Sequence, residues 1–248
     1  MAFLSRLATF LFVLAIPLLL VTTNVRFFAG EVRFYERGFR KYDAAQTTGV
    51  SLPELDRAAG EIVDYFENDR PTLRILVTAD GEEVSLFNTR ETEHMKDVKQ
   101  VMRLVFRVQE ATLAYVLAYI TCVYLWSSER PFRSLARLAL MGVAVGIVVF
   151  GAIAAFALTG FDSAWTTFHE VVFRNDLWQL NPDTDHLIQM FPEPFWEEST
   201  YIIGMMTLAE ATAIVIAATA YLLVSRQPGG QRVREAGLPR GGDVTPAP

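Results

Sequence analysis

Four stretches of the chain are long and apolar enough to cross a membrane. They run over residues 3–25, 104–126, 135–160 and 201–224. A transmembrane helix needs about 20 predominantly apolar residues, and each stretch meets that length. The composition agrees, because 52% of the residues are apolar and only 20% are charged. We therefore predict a membrane α-helical protein with four transmembrane helices.

The first stretch has two interpretations. Arg6 precedes its apolar residues, which is also typical of a cleaved signal peptide. No convincing cleavage site of small residues follows, and the chain continues directly into Val-Arg-Phe-Phe. This favours an uncleaved signal anchor over residues 3–25, with the cleaved signal peptide as the alternative.

The positive charges predict the orientation of the spans, because short loops rich in arginine and lysine stay cytoplasmic. The loop 127–134 and the tail 225–248 are rich in arginine. The connection 161–200 carries one basic residue, Arg174, among eight acidic residues. We therefore expect both termini to be cytoplasmic and the segments 26–103 and 161–200 to lie outside. The tail, rich in glycine and proline, is predicted to be disordered.

The first outer segment, 26–103, is predicted to be a small α+β unit. Ser51 and Glu54 have the spacing of a capping box at the start of an amphipathic helix. The runs 72–77 and 84–88 are β-prone and are separated by an Asp-Gly turn, which predicts a hairpin. From about Glu91 a helix is expected to continue into the second span. So small a unit has a thin core and is expected to lean on the membrane or on the second outer segment.

Charge and cysteine content exclude several classes of function. With 22 basic and 28 acidic residues the net charge is -6, the wrong sign for binding a phosphate backbone, so we predict no nucleic-acid partner. The single cysteine, Cys122, allows no internal disulfide and no Cys-rich zinc site. We predict no metal and no other cofactor, although a site built from His94, Asp97 and His169 stays open as an alternative.

All three histidines, His94, His169 and His186, fall in the outer segments. Histidine is the side chain best suited to proton transfer near neutral pH. Asp97 lies one helical turn after His94 on the same face, where a carboxylate can fix the imidazole tautomer. The alternative is a solvated, charged start of the helix.

The second outer segment, 161–200, is rich in aromatic residues. An interfacial belt of amphipathic rings explains that enrichment. It does not explain His169 or the polar residues near it, Asn175 and Asp176, which are followed by Trp178. A functional site and an interfacial belt therefore both remain open for this segment.

Helix geometry predicts that two of the imidazoles meet. His94 precedes the expected start of the second span by about ten residues, or roughly 15 Å at 1.5 Å per residue. His169 follows the third span by about nine residues, a similar reach. We expect both rings at one level just outside the bilayer.

Ionisable residues inside predicted spans are candidates for function by default. Arg107 and Glu110 lie one turn apart in the second span and are expected to pair with each other. Glu210, near the middle of the fourth span, has no partner in its own helix. It is expected either to face Arg107 or to be protonated.

Two blocks of sequence carry a resemblance to a known family. They are 93–99, Glu-His-Met-Lys-Asp-Val-Lys, and 168–178, Phe-His-Glu-Val-Val-Phe-Arg-Asn-Asp-Leu-Trp. Asn-Pro-Asp-Thr-Asp at 181–185 and Pro-Glu-Pro-Phe at 192–195 follow them. Together these blocks resemble four-span bacterial membrane proteins whose characterised members are lipoprotein intramolecular transacylases. The order of spans and outer segments agrees up to about Val224.

The resemblance implies an enzyme of the bacterial cell membrane with its active site on the extracytoplasmic side. Its substrate would be a diacylglyceryl-modified lipoprotein held in membrane lipid. The enzyme would move the sn-2 acyl chain to the α-amino group of the N-terminal cysteine, which gives a lyso-form lipoprotein.

The resemblance also implies roles for residues. His94 and His169 would be the catalytic residues. The reaction needs an acid/base and an oxyanion donor, and two histidines can supply both roles in either order. Asp97, Asn175, Asp176 and Trp178 are expected to support them. The chain has Val-Phe at 172–173 and Phe-Trp at 195–196 where Phe-Phe pairs are expected, a difference that concerns acyl-chain contacts more than chemistry.

Two other functions stay open on the sequence. One is a lipid or lipoprotein esterase that uses the same histidines and releases free fatty acid. The other is a non-catalytic membrane module whose outer unit binds a partner or senses the state of the envelope. The sequence leaves open which histidine is the base and which oligomeric state the protein adopts.

Overall fold

A computed structural model describes residues 2–79, 81–126 and 131–225. Part of the predicted hairpin turn, residues 127–130 of the predicted cytoplasmic loop and the predicted disordered tail after residue 225 lie outside the described residues. In chain order the elements are α1 (Ala2–Gly30), α2 (Val32–Lys41), α3 (Ala44–Thr48), α4 (Leu52–Glu67), β1 (Leu76–Ala79), β2 (Glu82–Ser85), α5 (Thr89–Trp126), α6 (Pro131–Thr159), α7 (Phe161–Val172), α8 (His186–Met190) and α9 (Glu193–Val224).

Four of these helices, α1, α5, α6 and α9, are long and apolar enough to cross a membrane. They carry the four predicted spans, and α1 packs against each of the other three. The predicted fold class, a four-helix membrane protein with a small α+β unit, is therefore confirmed.

Small residues let α1 and α6 approach closely. A Cβ atom added at Gly142 would lie 2.9 Å from the Cβ of Ile16, and one added at Gly146 would lie 2.8 Å from the Cβ of Pro17. Helices in membranes often associate through such small residues, since dispersion contacts replace the hydrophobic effect there. The α1–α6 contact accordingly depends on glycine at both positions.

Two polar contacts join α1 to its neighbours, and both differ from the expected pairs. Glu110 pairs with Arg26 of α1 at 2.7 Å instead of with Arg107. Glu210 accepts a hydrogen bond at 3.0 Å from Asn24 of α1 instead of facing Arg107. Both contacts arise from the packing of α1 against α5 and α9, which residue spacing along a single helix does not predict.

The helix α4 begins close to the predicted position, with a proline in its first turn. The predicted capping box is wrong, because the Ser51 side chain makes no capping hydrogen bond. Glu54 pairs instead with Arg57, which also donates to the carbonyl of Leu76. Arg57 thus ties α4 to the hairpin.

The predicted hairpin is present, but its strands are shorter and lie closer to the turn than the predicted runs 72–77 and 84–88. Leu76 lies opposite Ser85, and Ala79 lies opposite Glu82. The Leu86 N–H still donates to the Ile75 carbonyl at 2.8 Å, and the chain then turns towards α5. The turn follows from burial, since the side chains of Leu86 and its neighbour pack into the core.

The outer unit shares one core with the second outer segment. Its most buried apolar side chains are Phe39, Leu55, Ile62, Tyr65, Ile75 and Leu86 from the first segment and Met190, Phe191 and Phe195 from the second. The first outer segment therefore packs against the second, one of the two supports that the sequence predicted for it. That segment is not an irregular loop, because it folds into α7, α8 and the first turns of α9.

Candidate active site

His94 lies in the second turn of α5, whose start is fixed by a reciprocal capping box. The Asn88 side chain accepts from the Glu91 N–H at 3.0 Å, and the Glu91 carboxylate accepts from the Asn88 N–H at 2.7 Å. Such a box satisfies two backbone donors that a helix leaves unpaired at its N-terminus. It holds the turn that carries His94 in one position.

His169 lies in the last turn of α7 and faces His94. The centroids of the two imidazole rings are 6.2 Å apart, with an angle of 35° between the ring planes. Each residue is only 6% exposed. The expectation that the two rings meet is confirmed.

The tautomer of His169 follows from its hydrogen bond. Its Nδ1 lies 2.8 Å from the carbonyl oxygen of Trp165, which can only accept, so Nδ1 carries the hydrogen. Burial lowers the pKa of His169 below its ordinary value, and the bond to Trp165 offsets part of this effect. The ring is therefore neutral near pH 7, with the free lone pair on Nε2.

His94 is neutral as well. Burial, assisted by the neighbouring His169, lowers the pKa of His94 from 6.5 to about 4, although Asp97 opposes the shift. Its Nδ1 is buried and has no hydrogen-bond partner among the residues that the structure describes. An unsatisfied buried nitrogen costs roughly 1 to 3 kcal/mol, a loss that a bound ligand can recover.

Aromatic rings surround the histidine pair. The Trp165 ring meets His169 edge to face at a centroid distance of 4.5 Å, and the Trp178 ring lies at 5.0 Å. Phe173 lies beside both imidazoles, at 5.2 Å from His94 and 5.5 Å from His169. These rings exclude water and lower the local dielectric, which strengthens electrostatic effects at the pair.

The pair opens into a cavity of about 350 Å³. Most of its lining is apolar and includes Val25 and Phe28 of α1, Met102 of α5 and Ile203 of α9. Val25 and Ile203 belong to predicted spans, so the cavity connects the histidines with the helices that enter the bilayer. Its size lies within the range of small-molecule pockets, about 300 to 1,000 Å³.

The other predicted supporting residues lie around the pair. Asp97 accepts a hydrogen bond from the Asn175 side chain at 2.8 Å, and this contact differs from the expected bond to His94. Trp178 lines the cavity. Asp176 is exposed, and its carbonyl accepts from Arg90 of α5.

A buried carboxylate that the sequence analysis did not single out connects the two outer segments. Glu91 is 1% exposed and accepts from the Leu187 N–H of α8 at 2.6 Å. Asp185 accepts from the Asn88 side chain at 2.9 Å and from the Asn181 N–H at 2.7 Å. The spacing Asn-x-x-Glu, typical of a capped helix start, was the available signal in the sequence.

His186 lies outside the histidine pair. Its Nδ1 forms a hydrogen bond of 2.6 Å with the Leu86 carbonyl, which links α8 to the end of the hairpin. This contact is structural and does not bring His186 to the lining of the cavity.

The predicted intramembrane residues also lie away from the histidine cavity. Neither Arg107, Glu110 nor Glu210 lines it. Among the described residues, no group of three or more histidine, cysteine or carboxylate side chains is placed to hold a metal ion. The site consists of two neutral imidazoles and their aromatic surroundings.

Fold and site together define a multi-pass membrane protein with a buried histidine pair above its helices. A family model for the lipoprotein intramolecular transacylase Lit matches residues 10–196. The chain therefore belongs to the lipoprotein intramolecular transacylase family.

Individual relatives agree with this assignment. The structure of the membrane-integral lipoprotein intramolecular transacylase Lit from Bacillus cereus superposes with a TM-score of 0.74 at 19% identity, over 91% of this chain and 99% of that one. A variant of that protein with one histidine replaced by alanine gives a TM-score of 0.70 at 18% identity, over 91% and 96% of the two chains.

A relative from Aquifex aeolicus (strain VF5), described as an uncharacterized protein, is 30% identical over 131 residues. That match covers 49% of this chain and 51% of the relative, so the chain spans about half the length of the curated relative it matches.

Proposed function

We propose that the protein transfers the sn-2 acyl chain of a diacylglyceryl lipoprotein to the α-amino group of the lipoprotein's own N-terminal cysteine. The observation that carries this proposal is the pair of neutral imidazoles, 6.2 Å apart, at the end of an apolar cavity. The family supports a lipoprotein transacylase in general. The individual roles of the two histidines in the transfer are part of what we propose.

His169 is the proposed general base. Its Nδ1–H is held by the Trp165 carbonyl, so the lone pair of Nε2 is available to accept a proton from the attacking amine. An α-amine has an ordinary pKa of about 8, so a fraction of it is already neutral near pH 7. The lowered pKa of His169 keeps the imidazole in its base form.

His94 is the proposed donor to the oxyanion. A neutral imidazole has one N–H, and its buried setting makes that dipole effective where negative charge develops on the ester oxygen. The pKa of about 4 keeps His94 neutral, so no second cation lies beside His169 once His169 has accepted the proton of the amine.

The reaction balances without water or a cofactor. The amine nitrogen forms a bond to the ester carbonyl carbon as its proton moves to Nε2 of His169. The tetrahedral intermediate then breaks its bond to the sn-2 oxygen, and the same proton passes to that oxygen. An amide and a free hydroxyl result, and because both reacting groups belong to one molecule, correct positioning lowers much of the barrier.

The direct test is conversion of a synthetic diacylglyceryl lipopeptide by the purified full-length protein in lipid. Mass spectrometry of the product should show an N-acyl lyso-lipopeptide of unchanged total mass, in which one acyl group resists mild alkaline hydrolysis because an amide holds it. Release of free fatty acid would instead indicate the esterase. If folded protein does not convert the lipopeptide, the result would favour the non-catalytic membrane module.

A blocked substrate provides the matched control. The same lipopeptide with its α-amine acetylated lacks the nucleophile and should remain unchanged. Loss of fatty acid from this blocked substrate would contradict intramolecular transfer.

A further inference from the structure

A second cavity, of about 390 Å³, lies where α1, α5 and the end of α4 meet. Its charged lining consists of Arg26, Glu67, Asp69, Arg103, Arg107 and Glu110. We call it the arginine cleft. It is distinct from the histidine cavity, although the Phe66 ring lines both.

Two of the three guanidinium groups already have carboxylate partners. Arg26 pairs with Glu110 at 2.7 Å and also lies over the Phe106 ring, 5.0 Å from its centroid. Arg103 pairs with Asp69 at 3.0 Å. These pairs leave one charge of each sign in the lining.

The remaining two charges are Arg107 and Glu67. Within residues 2–79, 81–126 and 131–225, neither side chain makes a hydrogen bond or an ion pair, and both are exposed. A guanidinium group on a membrane helix is costly unless it reaches a counter-ion or the polar interface. The cleft thus presents a separated cation and anion to whatever enters it.

The cleft lies at the expected depth of the lipid headgroups. The first span is predicted to end at residue 25 and the second to begin at residue 104, so Arg26 and Arg103 mark this boundary on two different helices. Arg107 lies one turn further into the second span. Phospholipid headgroups are the polar molecules that occupy this level of a bilayer.

We propose that the arginine cleft binds the headgroup of a zwitterionic aminophospholipid. The phosphate lies on Arg107, whose planar guanidinium group matches two phosphate oxygens. The primary ammonium group lies on Glu67. Because three arginines and three carboxylates give the lining no net charge, the cleft favours a zwitterion over a lipid with a net negative charge.

The test measures lipid retention, which is independent of transacylation. Delipidated full-length protein in detergent is mixed with phosphatidylethanolamine or phosphatidylglycerol, and bound lipid is counted by native mass spectrometry. Wild-type protein should retain phosphatidylethanolamine about ten-fold more strongly, a difference of about 1.4 kcal/mol. Equal retention of the two lipids would overturn the proposal.

Variants assign the two halves of the headgroup. Arg107→Gln should lose retention of both lipids, and Glu67→Gln should lose only the discrimination between them. Arg137→Gln, an exposed arginine of α6, is the matched control and should bind as wild type does. Wild-type retention by Arg107→Gln, or displacement of the lipid by inorganic phosphate at equal concentration, would also overturn it.

Discussion

The Glu91 carboxylate accepts the backbone N–H of Leu187 at 2.6 Å and so fastens α8 to the start of the helix that carries His94. Glu91→Gln should lower stability by roughly 1 to 3 kcal/mol, because its amide group can accept only one of the two backbone hydrogens. Thermal unfolding of the protein in detergent measures this. Glu93→Gln is the control, since Glu93 forms only a half-exposed pair with Lys96. Equal losses in the two variants would contradict the role of Glu91.

His94→Ala and His169→Ala should each lower turnover of the lipopeptide by about two to four orders of magnitude, the usual contribution of general acid–base catalysis. The double variant should be little slower than the poorer single variant, because groups that act as a unit are not additive.

His186→Ala is the control for the two catalytic variants. It should stay within a few-fold of wild type in turnover, since its contact is with the Leu86 carbonyl. Near-normal turnover by folded single variants at both His94 and His169 would contradict the proposed mechanism.

Asp97→Ala should lower turnover by less than the catalytic variants do, about ten-fold. Asn175→Ala should have a similar effect, because the Asp97 carboxylate and the Asn175 amide form one hydrogen bond. In a double-mutant cycle with the lipopeptide assay the two changes should not add. Full additivity would mean that the two residues act separately.

The stability of the protein should fall as the pH is lowered from about 6.5 to about 4. In this range the unfolded chain binds a proton at His94, whereas the folded chain, in which burial lowers the pKa of His94 to about 4, does not. Lowering the pH therefore stabilises the unfolded state relative to the folded state by up to roughly 3 kcal/mol. His94→Gln should flatten the dependence of Tm on pH, and an unchanged slope would contradict it.

Single cysteines in a Cys122→Ala background test the predicted orientation. Cysteine at Glu67 or Asp183 should react with an impermeant thiol reagent in intact cells. Cysteine at Ser134 or Ser225 should react only after lysis, because positively charged connections stay cytoplasmic. Labelling of the Ser134 position in intact cells would reverse the assignment.

The four long helices were predicted from the sequence, whereas the short helix α2 was missed. The four spans are long apolar runs, a signal that needs no tertiary context. In α2, Tyr35 and Phe39 are buried and the arginines are exposed. Tyr35, Gly38 and Phe39 have the i, i+3, i+4 spacing of one buried helix face, so the signal was present in the sequence. Ten residues nevertheless form a stable helix only when tertiary packing supports them.

The histidine pair was predictable, but the way it is held was not. The rise per residue of a helix predicted that His94 and His169 lie at the same height above the spans. The hydrogen bonds that Asp97 accepts from Asn175 and that Glu91 accepts from the Leu187 N–H join segments that are distant in sequence. The pairing of Glu110 with Arg26 was missed for the same reason, since which polar groups meet depends on how helices pack.

The helix α5 runs without interruption for 38 residues from the site into the predicted span. His94 therefore lies on the same continuous helix as the span, about 32 Å from the middle of that span at 1.5 Å per residue. A tilt of about 5° about that midpoint would move its imidazole by roughly 3 Å relative to His169. Since spans tilt to match the hydrocarbon thickness around them, we expect the spacing of the two histidines to respond to the thickness of the bilayer.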